Sequence, residues 1–231
     1  MFFFAGVLAC MSFGMLGAIG VNSLLSGWKV ADREFYRFLP GTVGLHVAPL
    51  LLAHFFLREN GVAWGEFMGT RRPGLGRLVL ISVVIALVVA PAAQKLNELS
   101  AHVITALQSR PAEMQPSMKV LEISYTLGKR IIFSFAAIVL APIAEEIMFR
   151  GVLYATVKEM GFPRLALFGS ALLFAAIHGS KMTLVPLTFF AIIQALLYER
   201  TGRLLAPIVT HATFNAANIA TYFWMHGRGA T

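Results

Sequence analysis

Long apolar stretches separated by short polar segments dominate this chain. Within each stretch the apolar residues follow one another without alternation, which predicts helices and excludes the strands of a transmembrane barrel. A helix needs about 20 residues to cross a bilayer, so six or eight spans are compatible with the pattern as well as seven. The seven apolar stretches cover about 2–27, 41–57, 77–94, 130–153, 163–178, 183–199 and 204–225.

The longest connecting segment, 95–129, has its own helical pattern. Leu96, Leu99, Val103 and Leu107 recur at helical spacing within it, which predicts an amphipathic helix on the membrane surface. The pattern as a whole predicts an all-α fold. We expect one integral membrane domain over 1–231, a polytopic transmembrane helical bundle of about seven spans with an amphipathic interfacial segment.

Composition supports a membrane protein. Hydrophobic residues make up 58% of the 231 residues and charged residues 13%, against about 25% charged residues in an average soluble domain. The net charge is +8, but most basic residues lie in the short connections, where they meet lipid headgroups rather than nucleic acid. Cys10 is the only cysteine, so an intramolecular disulfide and a cysteine-based zinc site are excluded, and we interpret it as an ordinary helix residue.

The fourth apolar stretch ends with three charged residues, Glu145, Glu146 and Arg150. Charged groups inside a span cost several kcal/mol each, so they persist when they are paired or functional. Glu146 and Arg150 are one helical turn apart and can form an ion pair. Glu145 points about 100° away around the helix axis and can face a cavity. The alternative is a helix end at the headgroup level, where these groups are merely solvated.

Two later stretches carry further polar groups. His178 follows Phe174 by one helical turn at the end of the fifth stretch. His211 and Asn215 are four residues apart in the seventh stretch and share one helical face. Buried polar groups of this kind need hydrogen-bond partners. A helix cap at His178 and interhelical hydrogen bonds at His211 and Asn215 are the structural alternatives, and Asn218 is interpreted as structural.

Together the three segments supply a carboxylate, two imidazoles and an amide, which is a set of groups suited to hydrolysis. A carboxylate can deprotonate water that an imidazole helps to hold, while a second imidazole and an amide can donate hydrogen bonds to an oxyanion. His46, His54 and His102 have no carboxylate neighbour in the sequence and are not assigned to this set. His-Glu-x-x-His and Gly-x-Ser-x-Gly motifs are absent from the sequence.

The three segments also resemble a known family. Their patterns are Glu-Glu-x-x-x-Arg, then Phe-x-x-x-His, then His-x-x-x-Asn, over about 141–218. This order resembles the CAAX protease and bacteriocin-processing family of intramembrane endopeptidases, also called CPBP or ABI. The resemblance implies that Glu145 is the general base, that His178 positions the water, and that His211 and Asn215 line the oxyanion hole. The residues that would shape and support the site are Glu146, Arg150 and Phe174.

The family is described both as a metalloprotease and as a metal-free glutamate protease. Glu145, His178 and His211 form a ligand set that zinc accepts, and Glu146 would then be the remaining base. We favour the metal-free mechanism, with no cofactor.

The resemblance implies a membrane-associated protein or peptide as substrate, from CAAX-type or from sorting- or leader-peptide processing. Its partners would be this substrate and the lipid bilayer, without nucleic acid, in the cytoplasmic (inner) membrane of a prokaryote. A proton-coupled transporter is an alternative, since intramembrane Glu and His also form proton relays. However, internal repeats typical of transporters are not evident. The other alternative is a non-catalytic membrane adaptor.

Overall fold

The structure is a computed structural model that describes residues 12, 15–109 and 115–227, and over these residues it contains helices and no strand. A single helical turn, Trp64–Phe67, lies between the second and third helices. The helices are α1 (Met15–Leu24), α2 (Asp32–Glu59), α3 (Leu75–Gln108), α4 (Pro116–Glu122), α5 (Leu127–Glu159), α6 (Pro163–Ile177), α7 (Leu184–Thr201) and α8 (Leu205–Gly227).

The predicted all-α membrane fold is confirmed. In the described part of the chain, α2, α3, α5 and α7 are long and apolar enough to cross a membrane, while α1 and α6 are apolar but shorter. Large apolar side chains such as Leu80, Leu87 and Val88 on α3 are exposed on the protein surface, as expected where lipid replaces water. The number of spans stays a prediction. Much of the first predicted stretch, including Cys10, lies outside the described residues.

The predicted surface helix is not a separate element. Residues 95–108 continue α3, which runs without interruption for 34 residues and passes Pro91. The residues after Pro91 include neither Gly nor Pro before α3 ends, so nothing in them breaks the helix. A helix of this length extends about 50 Å, beyond the roughly 30 Å of a hydrocarbon core. The amphipathic pattern therefore belongs to the terminal turns of a long helix.

The core forms where α3 packs against α7 and α8, and α5 in turn contacts α2, α6, α7 and α8. Small residues on α3, among them Ala86 and Ala90, let the neighbouring helices approach closely. Phe190 of α7 and Phe214 of α8 stack with ring centroids 4.3 Å apart in the same cluster. This packing surrounds one face of α5 with aromatic rings.

Helices α2 and α5 lie side by side and run in the same direction. Near their first turns, Lys129 donates to Asp32, which also accepts from the Tyr125 hydroxyl. One to two turns further along, the rings of Phe38 and Phe133 are 5.7 Å apart. Because later residues of α2 meet later residues of α5, each turn of one helix has a fixed partner turn on the other.

Both helices contain wider, π-helical turns. In α2 such a stretch covers Val43–Val47, and in α5 two cover Ala136–Leu140 and Ile147–Tyr154. Pro49 and Pro142 follow the first two stretches by two residues. Proline lacks an N–H group and its ring collides with the carbonyl four residues earlier, so the helix widens before it. Such turns frequently occur at functional sites.

The loop between α2 and α3 is fixed against the start of α8. Arg203 donates from Nη2 to the Pro73 carbonyl at 2.6 Å, and Leu205 N donates to the Met68 carbonyl at 3.1 Å. Gly69 has a φ of +77°, and a Cβ added there would lie 2.8–3.2 Å from atoms of Arg203. Glycine is therefore required at this position both by its backbone and by the close approach.

We expect Gly69→Ala to destabilise the protein more than Gly74→Ala. Both glycines have positive φ, which costs about 1 kcal/mol for alanine. Only Gly69 faces Arg203, and this overlap should add about 1–3 kcal/mol, because no atom lies within 4 Å of a Cβ at Gly74. Thermal melting of the two variants in detergent measures the difference. Equal melting temperatures would contradict the close docking of this loop.

Candidate active site

The carboxylate of Glu146 is the most buried charged group of the predicted site. Its side chain is 0% exposed, and Oε1 accepts from Arg150 Nη1 at 3.0 Å, His211 Nδ1 at 2.8 Å and Gln194 Nε2 at 3.4 Å. The Glu146–Arg150 ion pair forms as their spacing predicts. Since the three donors come from α5, α8 and α7, one carboxylate oxygen joins three helices.

Arg150 is itself enclosed. It is 2% exposed, and Nη2 donates to the Ala191 carbonyl of α7 at 2.8 Å. Its guanidinium carbon lies 5.1 Å from the centroid of the Phe174 ring on α6. A guanidinium over an aromatic face is stabilised by the ring quadrupole. Phe174, which the motif predicts as a supporting residue, therefore contacts the ion pair from the other side.

Gln194 is a buried polar residue that lies outside the three predicted motifs. Its side chain is 0% exposed and donates from Nε2 to the Pro207 carbonyl at 2.8 Å, in addition to Glu146. Its Oε1 accepts no hydrogen bond from the described residues. A lone Gln within the apolar stretch 183–199 was the signal that could have found it, because amides are costly in a span without partners.

Glu145 lies next to a histidine that is outside the three predicted motifs. His46 Nε2 is 3.3 Å from Glu145 Oε1, although the two residues are 99 positions apart in the chain. His46 Nδ1 lies 3.2 Å from the Thr42 carbonyl. Both His46 and Glu145 are 8% exposed. His46 has no carboxylate neighbour in the sequence, but α2 places it against Glu145 of α5.

The second oxygen of Glu145 is differently placed. Oε2 is buried and accepts no hydrogen bond from the residues that the structure describes. It lies 3.8 Å from Nε2 of His211, which is too far for a direct hydrogen bond. His211 Nδ1 is held by Glu146 on the opposite side of the ring, so Nε2 is aimed at Glu145. Two polar atoms at this separation can share one water molecule.

His178 closes α6 and is half-buried. Its Nδ1 is 2.7 Å from the Phe174 carbonyl, and because a carbonyl can only accept, Nδ1 carries the hydrogen. Nε2 is therefore the ring nitrogen left to bind another group. The Phe174 ring centroid lies 4.8 Å from that of His178 and 5.8 Å from that of His211. The two predicted imidazoles thus flank one aromatic ring.

Asn215 faces α5, the helix that carries Glu145, but it bonds to the backbone of that helix. Its Nδ2 donates to the Ala137 carbonyl of α5 at 2.7 Å. In the wide turn the Ala141 N–H donates to Ala136 rather than to Ala137, and Pro142 has no N–H to replace it. The Ala137 carbonyl is therefore open to a side chain. No hydrogen bond joins Asn215 to the other polar side chains of the described site.

The described residues contain no group of three His, Cys, Asp or Glu side chains arranged to hold a metal ion. Glu145 has one oxygen beside His46, and the set of Glu145, His178 and His211 that zinc would need is not gathered around one point. As arranged, these side chains do not fit zinc.

An apolar cavity of about 710 Å³ lies between α1 and α2. Val43 and Gly44 line it, and they belong to the wide turn that also carries His46. Glu145, His178 and His211 do not line this cavity. A hollow of this character accommodates hydrocarbon, from lipid or from a bound apolar chain. The residues that line it are Val21, Leu24, Leu25, Trp28, Tyr36, Leu39, Pro40, Val43, Gly44 and Ala48.

The chain is thus a helical membrane protein with buried carboxylates and imidazoles gathered inside its bundle, where ionisable groups commonly mark a functional site. Residues 127–217 match the model of the family described as Type II CAAX prenyl endopeptidase Rce1-like, which confirms, over this part of the chain, the resemblance predicted from the motifs. The matched range contains the residues from Glu145 to Asn215, whereas His46 precedes it. No curated protein and no solved structure matches the chain.

We expect Arg150→Met to be strongly destabilising. It leaves the fully buried Glu146 carboxylate without its cation, which typically costs about 3–5 kcal/mol. Adding Glu146→Gln should restore a large part of the lost stability, because the unpaired charge is then removed. Thermal melting in detergent of both single variants and the double variant measures this coupling.

Lys158→Met is the matched control for this prediction. Lys158 pairs with Glu199, but the two side chains are 42% and 39% exposed. Exposed ion pairs contribute about 0–1 kcal/mol, so this variant should melt close to the parent. Additive effects of Arg150→Met and Glu146→Gln would show that the buried pair is not coupled.

Proposed function

We propose that this protein is an intramembrane endopeptidase in which Glu145 activates a water molecule against a peptide bond of a membrane-associated substrate. One observation carries the proposal: the unpaired Oε2 of Glu145 lies 3.8 Å from Nε2 of His211 inside the bundle. The match of the surrounding residues 127–217 to a CAAX endopeptidase family supports it.

The chemistry follows from the two oxygens of Glu145. A water molecule that contacts both Glu145 Oε2 and His211 Nε2 from one side gives a proton to Glu145 while its oxygen forms a bond to the carbonyl carbon of the substrate. The tetrahedral intermediate carries the negative charge on the former carbonyl oxygen. The carbon–nitrogen bond then breaks as Glu145 passes its proton to the amine nitrogen. The products are a carboxylic acid and an amine, between which the remaining proton then passes to give a carboxylate and an ammonium group, and Glu145 is again ionised.

The other predicted residues hold the attacking water or stabilise the oxyanion of the intermediate. His178 has Nδ1 bound to the backbone, so Nε2 is available to hold the water. Asn215 uses one amide hydrogen on the Ala137 carbonyl and retains a second for the oxyanion. His211 can join it from Nε2 when that nitrogen carries a proton, with its ring fixed by Glu146. Donors fixed in advance in a site of low dielectric constant stabilise such charge strongly.

We infer that the substrate is a protein or peptide held in or on the membrane, from CAAX-type or from sorting- or leader-peptide processing. Burial of the site in a helical bundle with exposed apolar flanks supports a substrate that reaches it from the bilayer. The apolar cavity between α1 and α2 adds a surface suited to a hydrocarbon chain or an apolar segment. We propose that the protein lies in the cytoplasmic membrane of a prokaryote.

Glu145→Gln should abolish cleavage while leaving the fold intact. Glutamine has the same shape but cannot take a proton from water, and removal of a general base costs about 10²–10⁴-fold in rate. The assay uses protein reconstituted in liposomes with two fluorogenic peptides, one farnesylated with a CAAX terminus and one unprenylated with an apolar membrane anchor. We expect the parent to cleave at least one of them and Glu145→Gln to cleave neither.

Glu98→Gln is the control, since Glu98 is exposed on α3 and pairs only with Lys95 in the described structure. It should cleave at the parental rate. A folded Glu145→Gln variant as fast as the parent would eliminate Glu145 as the base and with it this mechanism.

We further propose that the reaction needs no metal. Purified active protein should contain far less than one zinc per chain, and cleavage should persist after treatment with 1,10-phenanthroline. Elemental analysis and the liposome assay before and after chelation measure both quantities. One zinc per chain together with inhibition by the chelator would establish the metalloprotease alternative instead.

A further inference from the structure

We propose that His46 is a positioning residue for Glu145: its hydrogen bond fixes one carboxylate oxygen so that the other faces His211 and the reacting water. This inference rests on the proposed role of Glu145 as the base. His46 lies on α2 and precedes the residues that match the family model. The site defined by the three motifs would therefore be incomplete without the N-terminal part of the chain.

In the described part of the chain, the orientation of the Glu145 carboxylate depends on a single hydrogen bond, from His46, whereas that of Glu146 is fixed by several. Among the described residues, His46 forms the only hydrogen bond to the Glu145 side chain, at 3.3 Å, whereas Glu146 accepts three. A glutamate side chain has three rotatable bonds, and fixing it costs rotamer entropy. Without His46 the Glu145 carboxylate would turn among several orientations, and Oε2 would face His211 only part of the time.

His46 is itself fixed on its far side. The Thr42 carbonyl, 3.2 Å from Nδ1, and the Glu145 carboxylate can both only accept, so in this arrangement each ring nitrogen carries a hydrogen, and the backbone of α2 sets the ring plane. Nε2 then points at Glu145. Because both ring nitrogens are bonded, the position of α2 determines where the Glu145 carboxylate lies.

The packing of α2 on α5 explains how His46 reaches this position. The two helices run in parallel and are held near their first turns by Asp32 and Lys129. The wide turn Val43–Val47 then presents His46 to α5. On its other sides Glu145 faces His211 from α8, and its own helix contributes the Glu146–Arg150 pair. The orientation of Glu145 is thus set jointly by α2 and α8.

Three substitutions of His46 separate positioning from simple packing. Glutamine places an amide nitrogen near the position of Nε2 and can still donate to Glu145, whereas asparagine reaches only the Thr42 carbonyl and leucine reaches neither. We expect His46→Leu and His46→Asn to lower kcat about 10- to 100-fold with KM changed less than about 3-fold. His46→Gln should stay within about 5-fold of the parental kcat.

The measurements are kcat and KM in the liposome assay, together with thermal melting in detergent. His54→Leu is the control on the same helix, since His54 is exposed and contacts Trp64, and it should retain the parental kcat. If His46→Leu fails to fold, the comparison of His46→Asn with His46→Gln still decides the question.

Equal kcat for the asparagine and glutamine variants, or a parental kcat for His46→Leu, would overturn the positioning role. These outcomes can be distinguished from a failure of the proposed function. In that case the Glu145→Gln variant would cleave the substrate as fast as the parent. An inactive Glu145→Gln with a fully active His46→Leu would leave Glu145 as the base and remove His46 from the site.

Discussion

The structure of the site depends on how the buried charge of Glu146 is compensated. A carboxylate that is 0% exposed inside a membrane bundle is stable only with a cation and several donors around it. Arg150, Gln194 and His211 supply these groups from three helices. Separation of α7 or α8 from α5 would leave the carboxylate with fewer donors, so the same interaction neutralises the charge and holds the three helices together.

Compensation of Glu146 also orients the imidazole of His211. Because Nδ1 of His211 is committed to Glu146, Nε2 must face the opposite direction, toward Glu145. Two adjacent glutamates therefore have different surroundings, and the rotation of about 100° between successive helix positions produces the difference. In both glutamates Oε2 accepts no hydrogen bond from the described residues, but Glu146 Oε1 accepts three and is paired with Arg150, whereas Glu145 Oε1 accepts one and Oε2 lies 3.8 Å from His211 Nε2. The firmly held Glu146 carboxylate suits a structural role, and the Glu145 carboxylate beside an imidazole suits proton transfer.

The sequence predicted the helical bundle and the motif residues because both depend on local spacing. Apolar runs reveal spans, and the four-residue interval between Glu146 and Arg150 reveals their ion pair, since both are properties of a single helix. It did not predict the contact between His46 and Glu145, because no local rule relates residues 99 positions apart. The contacts of Gln194 were missed for the same reason. Both His46 and Gln194 are nevertheless polar residues within apolar stretches, which could have indicated that each has a buried partner. Residues 95–108 were predicted to form a separate helix because amphipathic spacing alone does not show where one helix ends and the next begins.

The wide turns explain how apolar helices provide polar contacts at this depth. In α5 the Ala141 N–H bonds to Ala136, and Pro142 cannot donate, so the Ala137 carbonyl accepts from Asn215 instead. A regular helix would satisfy that carbonyl internally and leave Asn215 without this partner in a region where an unpaired amide is costly. Helix α2 repeats the arrangement, with Ala48 bonded to Val43 and followed by Pro49. Proline at these positions weakens the helix by one hydrogen bond, and in α5 the Asn215 amide replaces that bond and joins α8 to the helix that carries Glu145.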